Sequence, residues 1–199
     1  MMVSLKHRLV ILAMPKCAST SLEAALSDQM DVVISRTPAA KHTPFRKYDR
    51  FLRRYLETYT DGPLEVVCLF REPIDWLNSW WRYRNRDGVP DPSRSARGMT
   101  FEDFVCAYLE GAAGPANVGS QARFVSNKDG AVGVDRIFRH DRFDHFAQFL
   151  EERLHTNIAA EKLNASPVDI AGGGLSGASI SRARHGLQRE FEIYETIAE

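Results

Sequence analysis

The chain has 199 residues, 44% hydrophobic and 26% charged, which suits one domain (1–199) with a full core. Twenty-six basic side chains balance twenty-six acidic ones, which argues against nucleic acid or an acidic membrane as a partner and leaves only local basic patches. No segment approaches the roughly 20 apolar residues of a membrane span, and three widely spaced cysteines, Cys17, Cys68 and Cys106, form neither a disulfide framework nor a CxxC metal pattern. Lys6-His7-Arg8 ahead of an apolar run imitate a signal peptide, but the run falls short of the usual length of about 7–15 residues. The expectation is a soluble, cytoplasmic protein in a reducing compartment.

In chain order, residues 8–14 are a continuous apolar run, as in a strand buried on both faces of a parallel sheet. Residues 19–29 read as a helix with Leu22, Ala25 and Leu26 on one side, 31–34 as a short strand, and 36–44 as a loop punctuated by Pro38 and Pro44. The pattern predicts a helix over 46–59, with Phe51, Leu52, Tyr55 and Leu56 inward, ended by Asp61-Gly62-Pro63. Residues 64–70 form a second buried strand, and Pro73 opens a helix to about residue 84. Residues 88–98 read as a surface loop, 100–109 as a helix whose Thr100 and Asp103 approach a capping box, and 111–119 as a loop before one or two helical turns at 120–125. A third strand at 134–138 is followed by a helix capped by Asp141, with Phe143, Phe146, Leu150 and Leu154 on one face. A glycine loop around 172–174 precedes a last helix over 179–198, with Ile180, Leu187, Phe191 and Tyr194 inward. Strands alternating with helices, without internal repeats, predict an α/β fold around a parallel sheet flanked by helices.

Two stretches carry chemistry. The first is Met14-Pro15-Lys16-Cys17-Ala18-Ser19-Thr20-Ser21, a tight turn between a buried strand and a helix start. Lys16 supplies a point charge for a phosphate or sulfate oxygen. The small residues Cys17, Ala18, Ser19, Thr20 and Ser21 let backbone N–H groups approach an anion at the positive end of a helix dipole, and the hydroxyls add donors. Thr20 with Glu23 also fits a capping box, which would make this only a helix start. A Walker A loop places its lysine after glycines; here lysine comes first and no glycine is present, which disfavours a nucleotide triphosphatase. The second stretch is Arg71-Glu72-Pro73, at the end of a strand, with Ser79 eight residues beyond Arg71. Open α/β sheets bind ligands outside the carboxyl ends of their strands. Alternatively, Arg71 pairs with Glu72 or Asp75, and Ser79 is an ordinary helix serine. Trp76, Trp80 and Trp81 have the spacing of packing residues.

Together the two stretches resemble the sulfotransferases that use 3′-phosphoadenosine 5′-phosphosulfate (PAPS). Their 5′-phosphosulfate loop, P-K-x-G-[ST]-[ST], is matched by Pro15-Lys16-Cys17-Ala18-Ser19-Thr20, with Ala18 in place of glycine. Their 3′-phosphate arginine and the serine eight residues later are matched by Arg71 and Ser79. More diffuse likeness, through Val134-Asp135-Arg136-Ile137-Phe138-Arg139, Leu163-Asn164-Ala165-Ser166 and Phe191-Glu192-Ile193-Tyr194, looks most like the carbohydrate branch with the heparan 2-O enzymes. An R-K-G run found near the C-terminus of the steroid and phenol enzymes is missing here; Arg182 and Arg184 are weak substitutes.

The resemblance implies a P-loop-NTPase-like three-layer fold with a central parallel sheet. It implies in-line transfer of a sulfuryl group to a hydroxyl or amine of a small-molecule or saccharide acceptor, releasing 3′-phosphoadenosine 5′-phosphate (PAP) without a metal. Lys16 and the loop N–H groups would stabilise the leaving 5′-phosphate oxygen, and Arg71 with Ser79 would hold the 3′-phosphate. Of six histidines, His42, in the loop after the second short strand, is the chosen base; a carboxylate such as Glu72 is the alternative. The basic run Arg46, Lys47, Arg50, Arg53, Arg54 is a solvated face or an attractor for an anionic acceptor. A degenerate P-loop kinase and a non-catalytic nucleotide-binding protein are the competing functions.

Overall fold

A computed structural model describes residues 1–89, 91–158 and 174–197. The strands are β1 (Met2–Ser4), β2 (Leu9–Leu12), β3 (Val32–Val33), β4 (Glu65–Phe70) and β5 (Arg136–Arg139). The helices are α1 (Ser19–Leu26), α2 (Pro38–Lys41), α3 (Phe45–Tyr48), α4 (Arg54–Glu57), α5 (Pro73–Asn85), α6 (Phe101–Leu109), α7 (Gln121–Val125), α8 (Phe143–Leu154), α9 (Gly177–Gly186) and α10 (Gln188–Thr196). The described residues fall into two compact units: 1–71 with 121–158 and 196–197, and 72–89 and 91–120 with 174–195. The Leu163-Asn164-Ala165-Ser166 likeness and Gly172-Gly173 lie outside the described residues.

The first unit is an α/β structure, a five-stranded mixed sheet in the order β3-β1-β2-β4-β5 flanked by helices. β2, β4 and β5 run parallel, with Leu12 opposite Cys68 and Phe70 opposite Arg139. The expected all-parallel sheet is corrected by β1, which pairs antiparallel with both β2 and β3. β1 is only three residues long, too short for a periodic signal, and a four-residue turn from Leu5 joins it to β2. Arg8 closes that turn at φ 48°, its N–H donating to the Leu5 carbonyl at 3.1 Å. Being antiparallel to the same strand, β3 and β2 point the same way. The loops after β2, β3 and β4 therefore leave at one edge, the carboxyl end of the parallel strands. Every residue of β2 and residues 66–70 are buried, as their unbroken apolar runs require.

Residues 36–44 are not wholly loop: α2 forms one helical turn with Pro38 in its first-turn position. The helix expected over 46–59 occurs as α3 and α4 joined by a π-helical stretch, Asp49–Arg53. That wider winding advances the register by one residue, so the expected inward face holds only for Leu56 and, half-buried, Leu52. Phe51 and Tyr55 are 64% and 62% exposed, while Phe45, Tyr48 and Leu56 are buried. Ala25 is likewise exposed; α1 buries only Leu22 and Leu26. On α8, Phe146, Leu150 and Leu154 are buried, and Phe138 of β5 packs on Phe146 and Phe149 at ring separations of 4.9 Å. Asp141 does not cap α8: it receives Arg139 in a bidentate pair, and Arg142 occupies the cap position without a side-chain bond.

The second unit is helical. Pro73 opens α5, and the Glu72 carboxylate accepts from the Asp75 N–H at 2.6 Å as its cap. Thr100 and Asp103 form the expected capping box on α6. Trp76, Trp80 and Trp81 serve packing. Trp76 meets Trp80 and Tyr108 edge-on, and the Trp81 indole donates to the Met99 carbonyl at 3.0 Å. The single last helix is corrected to two, α9 and α10, broken at Leu187. Ile180 is 39% exposed, whereas Leu187, Phe191 and Tyr194 are buried. A Cβ on Gly186 would come within 2.5 Å of the Leu109 Cδ2, so α9 packs closely on the end of α6 there.

Candidate functional site

The lysine loop leaves β2 at Ala13 and enters α1 at Ser19. Lys16 and Ala18 both adopt left-handed backbone, at φ 65° and 54°. That conformation costs a non-glycine residue about 1–2 kcal/mol, so the surroundings impose the curl. Left-handed residues in a tight turn are the backbone of anion nests; within this turn the Cys17 N–H donates to the Met14 carbonyl at 3.4 Å. At position 18, where the resembled loop carries glycine, the alanine sits in the backbone region glycine favours.

The capping-box alternative does not form. Ala18 is the cap residue of α1, with no side-chain hydrogen bond, and Thr20 lies inside the helix. Glu23 instead takes Lys41 at 2.8 Å, and this bond from Lys41 holds its carboxyl below the ordinary range. Ala18 offers no side-chain acceptor to the first turn of α1, whose leading N–H groups lie at the positive end of the helix dipole. Ser19 and Ser21 are half-buried and Thr20 is exposed; the Lys41 ammonium donates to the Thr20 hydroxyl at 3.3 Å. Lys41, whose alkyl stem and charge the sequence reading passed over, is thus a second cation beside the loop.

His42 follows α2, and its Nδ1 lies 2.7 Å from the Ala13 carbonyl. A carbonyl can only accept, so Nδ1 carries the proton and Nε2 keeps the lone pair in the neutral ring. Burial pushes the His42 pKa down, and Lys41 and Lys16 add to the fall against the opposing carbonyl bond. The ring is therefore neutral at pH 7, with its basic nitrogen on the side away from Ala13.

Arg71 directly follows β4 and is 9% exposed. Its Nη1 donates to the Lys16 carbonyl at 3.2 Å, so Arg71 and the lysine loop meet in the first unit. Gln121, the first residue of α7, is fully buried and holds both. Its Oε1 accepts from the Arg71 N–H at 3.0 Å, and its Nε2 donates to the Arg71 carbonyl at 2.9 Å. The Cys17 thiol donates to the same Oε1 at 3.8 Å. Nothing in the local sequence marks Gln121, because a glutamine opening a short helix is ordinary until its tertiary partners are known.

The remaining candidates lie in the second unit. Ser79 is half-buried on α5. Glu72 caps that helix, and burial raises its pKa. Arg182 pairs with Glu110 at 2.9 Å, and the Arg184 guanidinium lies 4.8 Å from the Phe191 ring centre. Among the described residues, no group of three or more His, Cys, Asp or Glu side chains is arranged to hold a metal ion, and no helix is long and apolar enough to cross a membrane. Comparison of the chain with protein-family models, with curated proteins and with solved structures returned no match.

Proposed function

We propose that the chain is a PAPS-dependent sulfotransferase on a P-loop-like three-layer fold, acting on a hydroxyl or amine of a small-molecule or saccharide acceptor. The observation that carries it is the meeting of Arg71 with the lysine loop through the Lys16 carbonyl, at 3.2 Å across 55 residues of sequence. Two facts about the loop support it. Its backbone takes glycine-like turns although it holds no glycine, and α1 begins without a side-chain cap. The three free cysteines suit a reducing cytoplasm.

In this assignment Lys16 and the first-turn N–H groups of α1 neutralise charge developing on the leaving 5′-phosphate oxygen. Arg71 holds the 3′-phosphate, the group to which the resemblance also assigns Ser79. The bond from sulfur to the phosphate oxygen breaks as the acceptor oxygen or nitrogen bonds to sulfur. The acceptor's proton goes to His42 Nε2, the ring nitrogen left basic by the Ala13 contact.

Calorimetric titration with PAP, ATP and AMP tests the donor. PAP should bind well ahead of both; equal affinities, or no PAP binding, would overturn the assignment, and an ATP preference would favour the kinase alternative. With a labelled donor and a panel of hydroxyl acceptors, Lys16→Ala should slow transfer about 10²–10³-fold. Donor binding without transfer to any acceptor would instead indicate a non-catalytic nucleotide-binding protein.

A further inference from the structure

We infer that Gln121 is a positioning residue that sets the affinity for the donor by fixing Arg71 and the lysine loop in one arrangement; this rests on the donor assignment above. The pairing of β4 with β5 ends at Phe70 opposite Arg139, so Arg71 is the first residue past the ladder. There the Gln121 amide supplies what a neighbouring strand would: an acceptor for the Arg71 N–H at 3.0 Å and a donor for its carbonyl at 2.9 Å. Only a side chain with one donor and one acceptor side by side can do both. The same oxygen takes the Cys17 thiol, and the Arg71 guanidinium returns to the Lys16 carbonyl, so the contacts close into a ring. The amide is fully buried, and loss of any bond leaves a polar group without water to replace it.

Within this ring the backbone of Arg71 cannot shift without breaking two bonds to Gln121, and the loop cannot shift without releasing the Arg71 side chain. A ligand that needs both Lys16 and Arg71 meets them already in place, which is the energetic advantage of preorganisation. Neither residue of the ring that touches the anion needs to be changed to test this.

The experiment measures PAP affinity by calorimetry for wild type, Gln121→Met and Gln121→Glu between pH 5.5 and 8, alongside cooperative unfolding of each. Gln121→Met keeps the volume and removes the bonds; it should bind PAP at least about tenfold more weakly. Gln121→Glu at pH 8 carries a carboxylate that cannot donate to the Arg71 carbonyl. As it protonates, the neutral acid regains one donor and one acceptor, so the affinity gap to wild type should narrow as pH falls. A packing role alone would not produce that recovery. If wild type binds PAP and Gln121→Met binds it within twofold, the inference is overturned. Should Gln121→Met not unfold cooperatively, Gln121→Glu decides: a wild-type-to-variant ratio constant across the pH range overturns it. Failure of wild type to bind PAP at any pH overturns the donor assignment and the inference with it.

Discussion

Ala18 and His42 show how single residues are set by their neighbours. Ala18 holds φ 54°, a strained value for alanine that glycine adopts without cost. Ala18→Gly should raise stability by up to about 1 kcal/mol, the relief of strain exceeding the entropy lost by a freer unfolded chain. Denaturant midpoints of the two proteins check it. For His42, folding lowers the pKa below its ordinary value of about 6.5, chiefly through burial. The unfolded chain therefore binds this proton more tightly than the native one. The histidine leaves stability untouched above about pH 6.5, and stability falls as pH drops from there through the lower folded pKa. Denaturant unfolding between pH 5 and 7.5 should show that slope, and His42→Asn should flatten it. In transfer assays, activity should persist below pH 6.5 and decline only as the folded His42 gains its proton; an unchanged rate in His42→Asn at pH 7 would remove it as base.

At the scale of elements, the segment from Phe45 to Glu57 separates pattern from packing. Its apolar residues fit a regular helix, yet the π-helical stretch Asp49–Arg53 rotates Phe51 and Tyr55 into solvent. Tyr48 and Phe45 carry the contact with the core instead; Tyr48 is fully buried, and burial pushes its phenol pKa up to about 12. Phe51→Ser and Tyr55→Ser should change stability by no more than about 0.5 kcal/mol, whereas Phe45→Ala should cost about 3–5 kcal/mol. Thermal or urea unfolding of the three variants distinguishes this from a regular amphipathic helix, in which all three would be costly. The basic residues of the segment are partly occupied: Arg53 pairs with Asp49 at 3.3 Å, and Arg50 lies 5.0 Å from the Phe51 ring centre.

For the molecule as a whole, the sheet of the first unit defines the frame of the candidate site. β2 and β4 are paired on both sides, β2 wholly apolar and β4 apolar after Glu65, while β3 is a two-residue edge. In native-state hydrogen exchange the amides of Val10, Ile11, Val67 and Leu69 should be among the slowest and those of Val32 and Val33 much faster; comparable rates would mean that the sheet opens as one body. The sequence by itself determined the strongest strands, the proline- and threonine-marked helix starts, and the lysine loop and Arg71 as anion-binding candidates, because apolar runs, capping residues and small-residue turns are local and written in adjacent positions. It did not reveal β1, the π-helical turn, the break at Leu187 or the Lys41–Glu23 pair. Those depend on three-residue pairings, one-residue register changes and contacts between residues 18 apart. Gln121 is the clearest case. Its amide matters only because Arg71 passes beyond the end of the β4–β5 ladder and leaves a buried N–H and carbonyl to be paired. Only the tertiary fold, by bringing residue 121 to residue 71, decided which side chain would do so.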